Sequence, residues 1–176
     1  MTLELELLNN LYILKPVRVM VLRYFSLEPF MNLTLQKGSE ISLPRWIAEI
    51  LEKNGIVEIL DRTITPQELS KIKFSQMQQK SQIIRIEDFF YIKMKKTIED
   101  LETKAKKEGD INLLKIVEKM REDFADISRL RLSFIIRAVQ LGGLDVIEKN
   151  LAIEEKLLVN LIKSTLSTWS NKFALI

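Results

Sequence analysis

The sequence predicts an α+β protein: a small N-terminal β-rich module with one helix over residues 1–62, then an all-α helical domain over residues 63–176. Three observations predict it. KPVRVMVLRYF (15–25) places Val17, Val19 and Val21 at the two-residue period of a strand with a buried face. From Thr65 onward no strong strand signal recurs, and apolar residues fall at the spacing of helices. The composition, 47% hydrophobic and 29% charged, is that of a globular chain with enough apolar material for a core.

Residues 1–14 are apolar at Leu3, Leu5, Leu7, Leu8 and Leu11, a pattern that leaves their state open. After the valine strand, Pro29 marks a loop, and MNLTLQKG repeats the alternation through Met31, Leu33 and Leu35 before a Lys37-Gly38 turn. In ISLPRWIAEILEKNG, Ser42 or Leu43 caps a helix and Pro44 suits its first turn, where a missing N–H costs nothing. Trp46, Ile47, Ile50 and Leu51 form one apolar stripe, which makes Trp46 the plug that packs this helix on the strands. Asn54-Gly55 ends the helix through a left-handed position, and IVEIL follows as a short buried strand. A link falls near 60–65.

TPQE at 65–68 reads as a capping box with proline at the first helical position. Helices are expected at about 66–79, 87–108, 111–140, 144–149 and 152–169, punctuated by Gly109-Asp110 and Gly142-Gly143. The 87–108 helix carries a stripe through Phe90, Met94, Ile98, Leu101 and Ala105, consistent with an antiparallel hairpin. In the next helix Leu113, Val117, Met120, Phe124, Ile127, Arg131, Phe134, Ala138 and Leu141 follow strict four-three spacing, the seam of a helix packed along its length. Arg131 alone breaks that seam, so its guanidinium must snorkel or meet a carboxylate. A structural ion pair is expected, in which Arg131→Leu is tolerated better than removal of the partner acid.

A second apolar set (Leu114, Ile116, Leu130, Leu132, Ile135, Ile136, Val139) makes the same helix apolar on more than one face. Such a helix is central to its domain or covered by another subunit. With few helices available, a subunit interface and obligate oligomerisation are expected, over Phe124, Ile127, Arg131, Phe134, Ile135 and Ala138. Arg45, exposed at the start of the module's helix, is left open to a partner.

Function classes narrow by composition. There is no cysteine and no histidine, which removes disulfides, thiolate nucleophiles, imidazole bases and the usual zinc sites together. What remains for catalysis is carboxylate with lysine, or a carboxylate magnesium site; no catalytic, cofactor-binding or metal site is assigned, and the chain reads as a non-enzyme. No glycine-rich phosphate loop is present, and aromatics do not interleave with basic residues as in RNA-binding sheets. Net charge is +3, and the whole excess lies in 61–140, which holds 17 basic and 13 acidic groups. That is mild for a dedicated DNA binder. Glu118, Glu122 and Asp126 form an acidic ridge, but Lys115, Lys119 and Arg129 within a turn favour mutual neutralisation on a wet face. Lys104, Lys106 and Lys107, with Lys93, Lys95 and Lys96 further back, suit a helix C-terminus more than a phosphate site. No apolar run approaches the ~20 residues of a membrane span, and MTLELELLNN lacks a basic signal-peptide start. A cytoplasmic protein is expected.

The order of elements resembles the archaeal GINS subunits. In that family a lysine-glycine turn precedes a leucine-proline-arginine-tryptophan helix entry, and the helix ends in glycine before a short strand, as LQKGSEISLPRWIAEILEKNGIVEI does here. Phe89-Phe90-Tyr91 is similar to the aromatic start of the family's first long helix, and LRLSFIIRAV places Arg131 on a family arginine. It departs at Phe134, where the family often has a lysine. The β module before the helical domain is the order of one of the two GINS classes. The resemblance implies a non-catalytic subunit of the replicative helicase assembly, nucleoid-associated, pairing with the other class in a two-plus-two tetramer. It implies contacts with the MCM helicase, a Cdc45/RecJ-like protein and primase or polymerase, with at most weak DNA contact.

Two other readings compete. IAEILEKNGIVEIL resembles the helix-and-strand end of a winged helix, a nucleic-acid binder that would dimerise through its helical half. That fold wants two more helices ahead of it, and Glu49 and Glu52 suit a major groove poorly. A carboxylate-metal enzyme lacks supporting residues around its ligands.

Overall fold

The computed structural model describes residues 2–28, 32–61, 63–79 and 82–173. The fold class is α+β, a small N-terminal region with few strands followed by a region built of helices. Contacts divide the chain into two compact units, Thr2–Arg62 and Thr63–Ile176.

In the first unit the open segment 1–14 resolves into helix α1 (Thr2–Leu14), which buries Leu8 and Tyr12, one turn apart. Strand β1 (Pro16–Val21) buries Val17, Val19 and Val21, as the alternation predicts. β2 (Phe25–Ser26) pairs antiparallel with β3 (Thr34–Leu35); Pro29 and Met31 lie outside the described residues. Gly38 takes φ +83° in the turn after β3, and its amide returns to the Val21 carbonyl at 2.8 Å.

A further strand, β4 (Glu40–Pro44), occupies residues expected to cap a helix; it pairs along β1 from Pro16 opposite Pro44 to Met20 opposite Glu40. Helix α2 (Arg45–Lys53) therefore starts one residue after Pro44, which acts as its N-cap. β5 (Val57–Ile59) completes an antiparallel sheet of order β4-β1-β5.

The α2 stripe is the main correction here. Two apolar columns lie side by side on this helix, Trp46 with Ile50 and Ile47 with Leu51. The second faces the sheet, together with Ala48, whose small side chain lets the helix approach closely. Trp46 stays 46% exposed and is not the core plug. Asn54-Gly55 ends the helix as expected, with Gly55 at φ +65°.

The second unit begins with α3 (Pro66–Gln78), where the capping box forms as read. The Glu68 amide donates to Thr65 Oγ1 at 3.3 Å and the Thr65 amide to Glu68 Oε2 at 3.0 Å. α4 (Phe90–Glu108) starts later than expected because Phe89 adopts a left-handed conformation, φ +64°. Gly109, at φ +68°, closes α4, and Asp110 caps α5 (Ile111–Leu141) by accepting from the Leu113 amide at 3.0 Å. α6 (Leu144–Ile147), a 3-10 turn (Glu148–Asn150) and α7 (Ile153–Phe173) follow. α5 packs against α3, α4 and α7. Its seam residues Val117, Met120 and Ile127 join Phe90, Met94 and Ile98 of α4, while Ile135 joins Val159 of α7.

Candidate protein-interaction surface

Of the six residues expected at a subunit interface, three are buried within this unit and three are partly buried. Ile127, Arg131 and Ile135 are buried within this unit. Phe124 packs on Phe90 and Tyr91 with ring centroids 6.0 and 5.8 Å away, and Phe134 lies against Ile135 and its neighbours. Ala138 is half-buried. The physical reason is that α3, α4 and α7 pack on the middle of the seam, from Val117 to Ile135, and make it this unit's own core, while Leu141 at its end stays 80% exposed.

Arg131, 0% exposed, sits at the centre of that core and does pair with an acid. Its Nε and Nη2 donate to the two carboxylate oxygens of Glu155 at 2.6 and 2.7 Å, the bidentate geometry that suits a guanidinium. Nη1 donates to Gln76 Oε1 at 3.2 Å and the Ile84 carbonyl at 2.7 Å, and Nη2 also donates to the Asn150 carbonyl at 3.1 Å. All five guanidinium N–H groups are thereby used. Glu155 accepts further from the Ala152 amide at 2.9 Å and from Tyr91 Oη at 2.7 Å. Burial first, and then the Glu155 charge, push the Tyr91 phenol well above its ordinary value, so it stays a neutral donor. This network holds the fold together and has no donor left for a substrate.

Beside it the starts of α4 and α7 cap each other. Glu154 accepts from the amides of Phe89, Tyr91 and Ile92 at 2.9, 3.1 and 3.4 Å, and Asp88 accepts from the Ile153 amide at 2.9 Å. Burial pushes the Glu154 carboxyl above its ordinary value despite those amides. A second tie joins α3 to α5 through Asp123, which takes Ser70 Oγ at 2.7 Å, Lys73 Nζ at 2.9 Å and Lys119 Nζ at 3.0 Å. Burial raises the Asp123 carboxyl, but the three donors together outweigh it and hold it down at about 2.

The acidic ridge is partly neutralised: Asp126 meets Lys73 at 2.5 Å and Arg129 at 3.6 Å. No group of carboxylates that could hold a metal occurs among the described residues. In the lysine cluster, Lys106 pairs with Glu102 at 2.6 Å and Lys93 with Glu87 at 3.0 Å.

Arg45 is corrected in the same direction as the seam. It is 6% exposed, paired with Asp61, within 4.0 Å of Glu49 and stacked 4.5 Å over the Tyr12 ring. Burial by α1, an element whose state the sequence left open, is what closes it to a partner. What does stay open is most of the second apolar set of α5: Ile116, Leu132 and Ile136 are exposed and Leu114, Leu130 and Val139 partly so, while Ile135 is buried in the core. Sequence reasoning missed Glu155, Glu154 and Gln76. Glu155 carried a signal, since Glu155, Val159, Ile162 and Leu166 run at four-three-four spacing and place the acid on a seam. Gln76 carried none.

Among the described residues no helix is long and apolar enough to cross a membrane. No protein-family model matches the chain, and no curated protein matches it.

Proposed function

We propose that the chain is a non-catalytic docking subunit of a GINS-type replication complex, acting through protein surfaces rather than through a reactive site. The observation that carries the reading is the outer face of α5, where Leu132 and Ile136 remain 40% and 38% exposed while Ile127, Arg131 and Ile135 on the other face are buried. Apolar side chains held in water on a rigid helix gain about 25 cal/mol per Å² when a partner covers them. The spending of the buried polar groups on caps and on the Arg131 network supports a scaffold in the same way. The partners follow from the resemblance: the second GINS class, then MCM helicase, a Cdc45/RecJ-like protein and primase or polymerase.

The test is reconstitution. Mixed with a subunit of the second class, the chain should give a stable two-plus-two complex by light scattering. A chain that stays monomeric at every concentration with no such partner would overturn the reading. DNA binding, if direct, must weaken steeply as salt rises.

A further inference from the structure

The outer face of α5 has a chemistry of its own. Arg129, Leu132, Ser133, Ile136, Arg137 and Gln140 line one depression of about 460 Å³ on the side of the helix away from the core. Between Asp126 and Asp145 the chain has no acidic residue. Arg131 is consumed by Glu155, which leaves Arg129 and Arg137 as the charges of this surface. Arg129 has one distant carboxylate, Asp126, at 3.6 Å, and Arg137 has no carboxylate within 4.0 Å among the described residues. The surface is therefore apolar at its middle and positive at both ends.

Leu132 also borders a second recess, with Tyr91, Ile135 and Leu158, that reaches toward the buried network. Its polar groups are engaged inward: Tyr91 Oη donates to Glu155, Ser128 Oγ to the Phe124 carbonyl, and Glu154 accepts from the α4 amides. The recess is thus lined by apolar surface. At about 240 Å³ it is smaller than the ~300–1,000 Å³ of cofactor and small-molecule sites, and it suits one apolar side chain.

We propose that this α5 surface docks an amphipathic helix of a partner chain, which inserts an aliphatic or aromatic anchor at the Leu132 recess and sets carboxylates against Arg129 and Arg137. The inference rests on the docking-subunit reading and names the chemistry of the partner. A second copy fits worse. Two α5 helices crossing antiparallel at Ser133 would bring Arg129 of each against Arg137 of the other, twice juxtaposing like charges, which costs affinity. Nucleic acid fits worse too, since Leu132 and Ile136 occupy the centre of the surface and would be covered without gain by a phosphate backbone.

Fluorescence anisotropy of the full chain with two synthetic helical peptides, about five turns long, tests this. Both carry a leucine stripe at i, i+4 and i+7; one is flanked by glutamates and the other by lysines. The acidic peptide should bind and the basic one should not. Leu132→Glu should abolish binding, and Arg129→Glu with Arg137→Glu should weaken the acidic peptide by about tenfold or more while letting the basic peptide bind. Circular dichroism of each variant, unchanged in helix content, confirms that these exposed positions leave the fold intact. Equal binding of both peptides, binding of neither, indifference to the double arginine variant, or Leu132-dependent self-association in place of peptide binding would each overturn the inference. Reconstitution with the second subunit class separates the two levels. If the double variant assembles as well as the parent chain, the acidic-helix inference falls and the docking reading stands. If the parent chain assembles with nothing, the docking reading falls as well.

Discussion

Arg131 and Glu155 do not depend on each other equally, and that asymmetry governs the residue scale. Removing Glu155 strands the buried guanidinium without its bidentate acid, whereas removing Arg131 leaves Glu155 with two donors, the Ala152 amide and Tyr91 Oη. Glu155→Ala is expected to cost about 3–5 kcal/mol. Arg131→Leu should cost less, but it is no longer a mild change, because it also orphans Gln76 and the carbonyls of Ile84 and Asn150. Urea melts of the two variants decide it, and the reverse order would overturn this asymmetry. The roles of Arg45 and Trp46 also bear on stability. Trp46→Ala should change stability by about 0.5 kcal/mol at most, as at ordinary surface positions. Arg45→Ala should cost more, through Asp61 and the Tyr12 ring. Both tryptophans are exposed, so acrylamide should quench the native protein's fluorescence nearly as well as that of the unfolded chain.

At the scale of elements, the reciprocal caps and the α3–α5 tie respond to pH in opposite senses. The Glu154 carboxyl lies above its ordinary 4.5 in the fold. Its stabilising contribution is complete below that ordinary value and is lost as pH rises through the raised one. Glu154→Gln keeps an acceptor for the α4 amides without the buried charge. It should therefore gain stability relative to the parent chain above the raised value, while Glu154→Ala loses about 1–2 kcal/mol of capping. Asp123 runs the other way. Held at about 2 against an ordinary 3.8, it contributes fully above 3.8, and that contribution is lost as pH falls toward 2. Acid titrations of thermal stability should show this slope in the parent chain and not in Asp123→Asn.

For the whole molecule, the described cores do not share residues. One is built from Val17 to Ile59, and the others run from Ile64 to Ile162. A fragment of residues 63–176 should therefore fold alone, with a helical circular dichroism spectrum and a cooperative thermal transition. A molten, non-cooperative fragment would show that the helical unit depends on residues 2–62. A fragment of residues 1–62 is at the size where a single core is marginal, so it should melt lower.

What the sequence determined by itself was local. Valine alternation, the TPQE box, the Asn54-Gly55 and Gly109-Asp110 stops and the four-three seam placed β1, β5 and the helices α2 to α5 but left α1 open, because each signal is written within one or two turns of chain. Strand β4 escaped, since a proline-terminated run of five residues reads equally well as the approach to a helix. Only the tertiary structure decided which of two neighbouring apolar columns faces inward, as at Trp46 and Ile47, and how much of the α5 seam its own domain buries. The candidate surface was half legible for the same reason. The excess apolar face of α5 could be read from spacing, but Leu132 and Ile136 stood out from the seam only once α3, α4 and α7 had covered the rest. Arg131 finds Glu155 24 residues away and Gln76 55 residues away, and no local period carries a pairing over that distance.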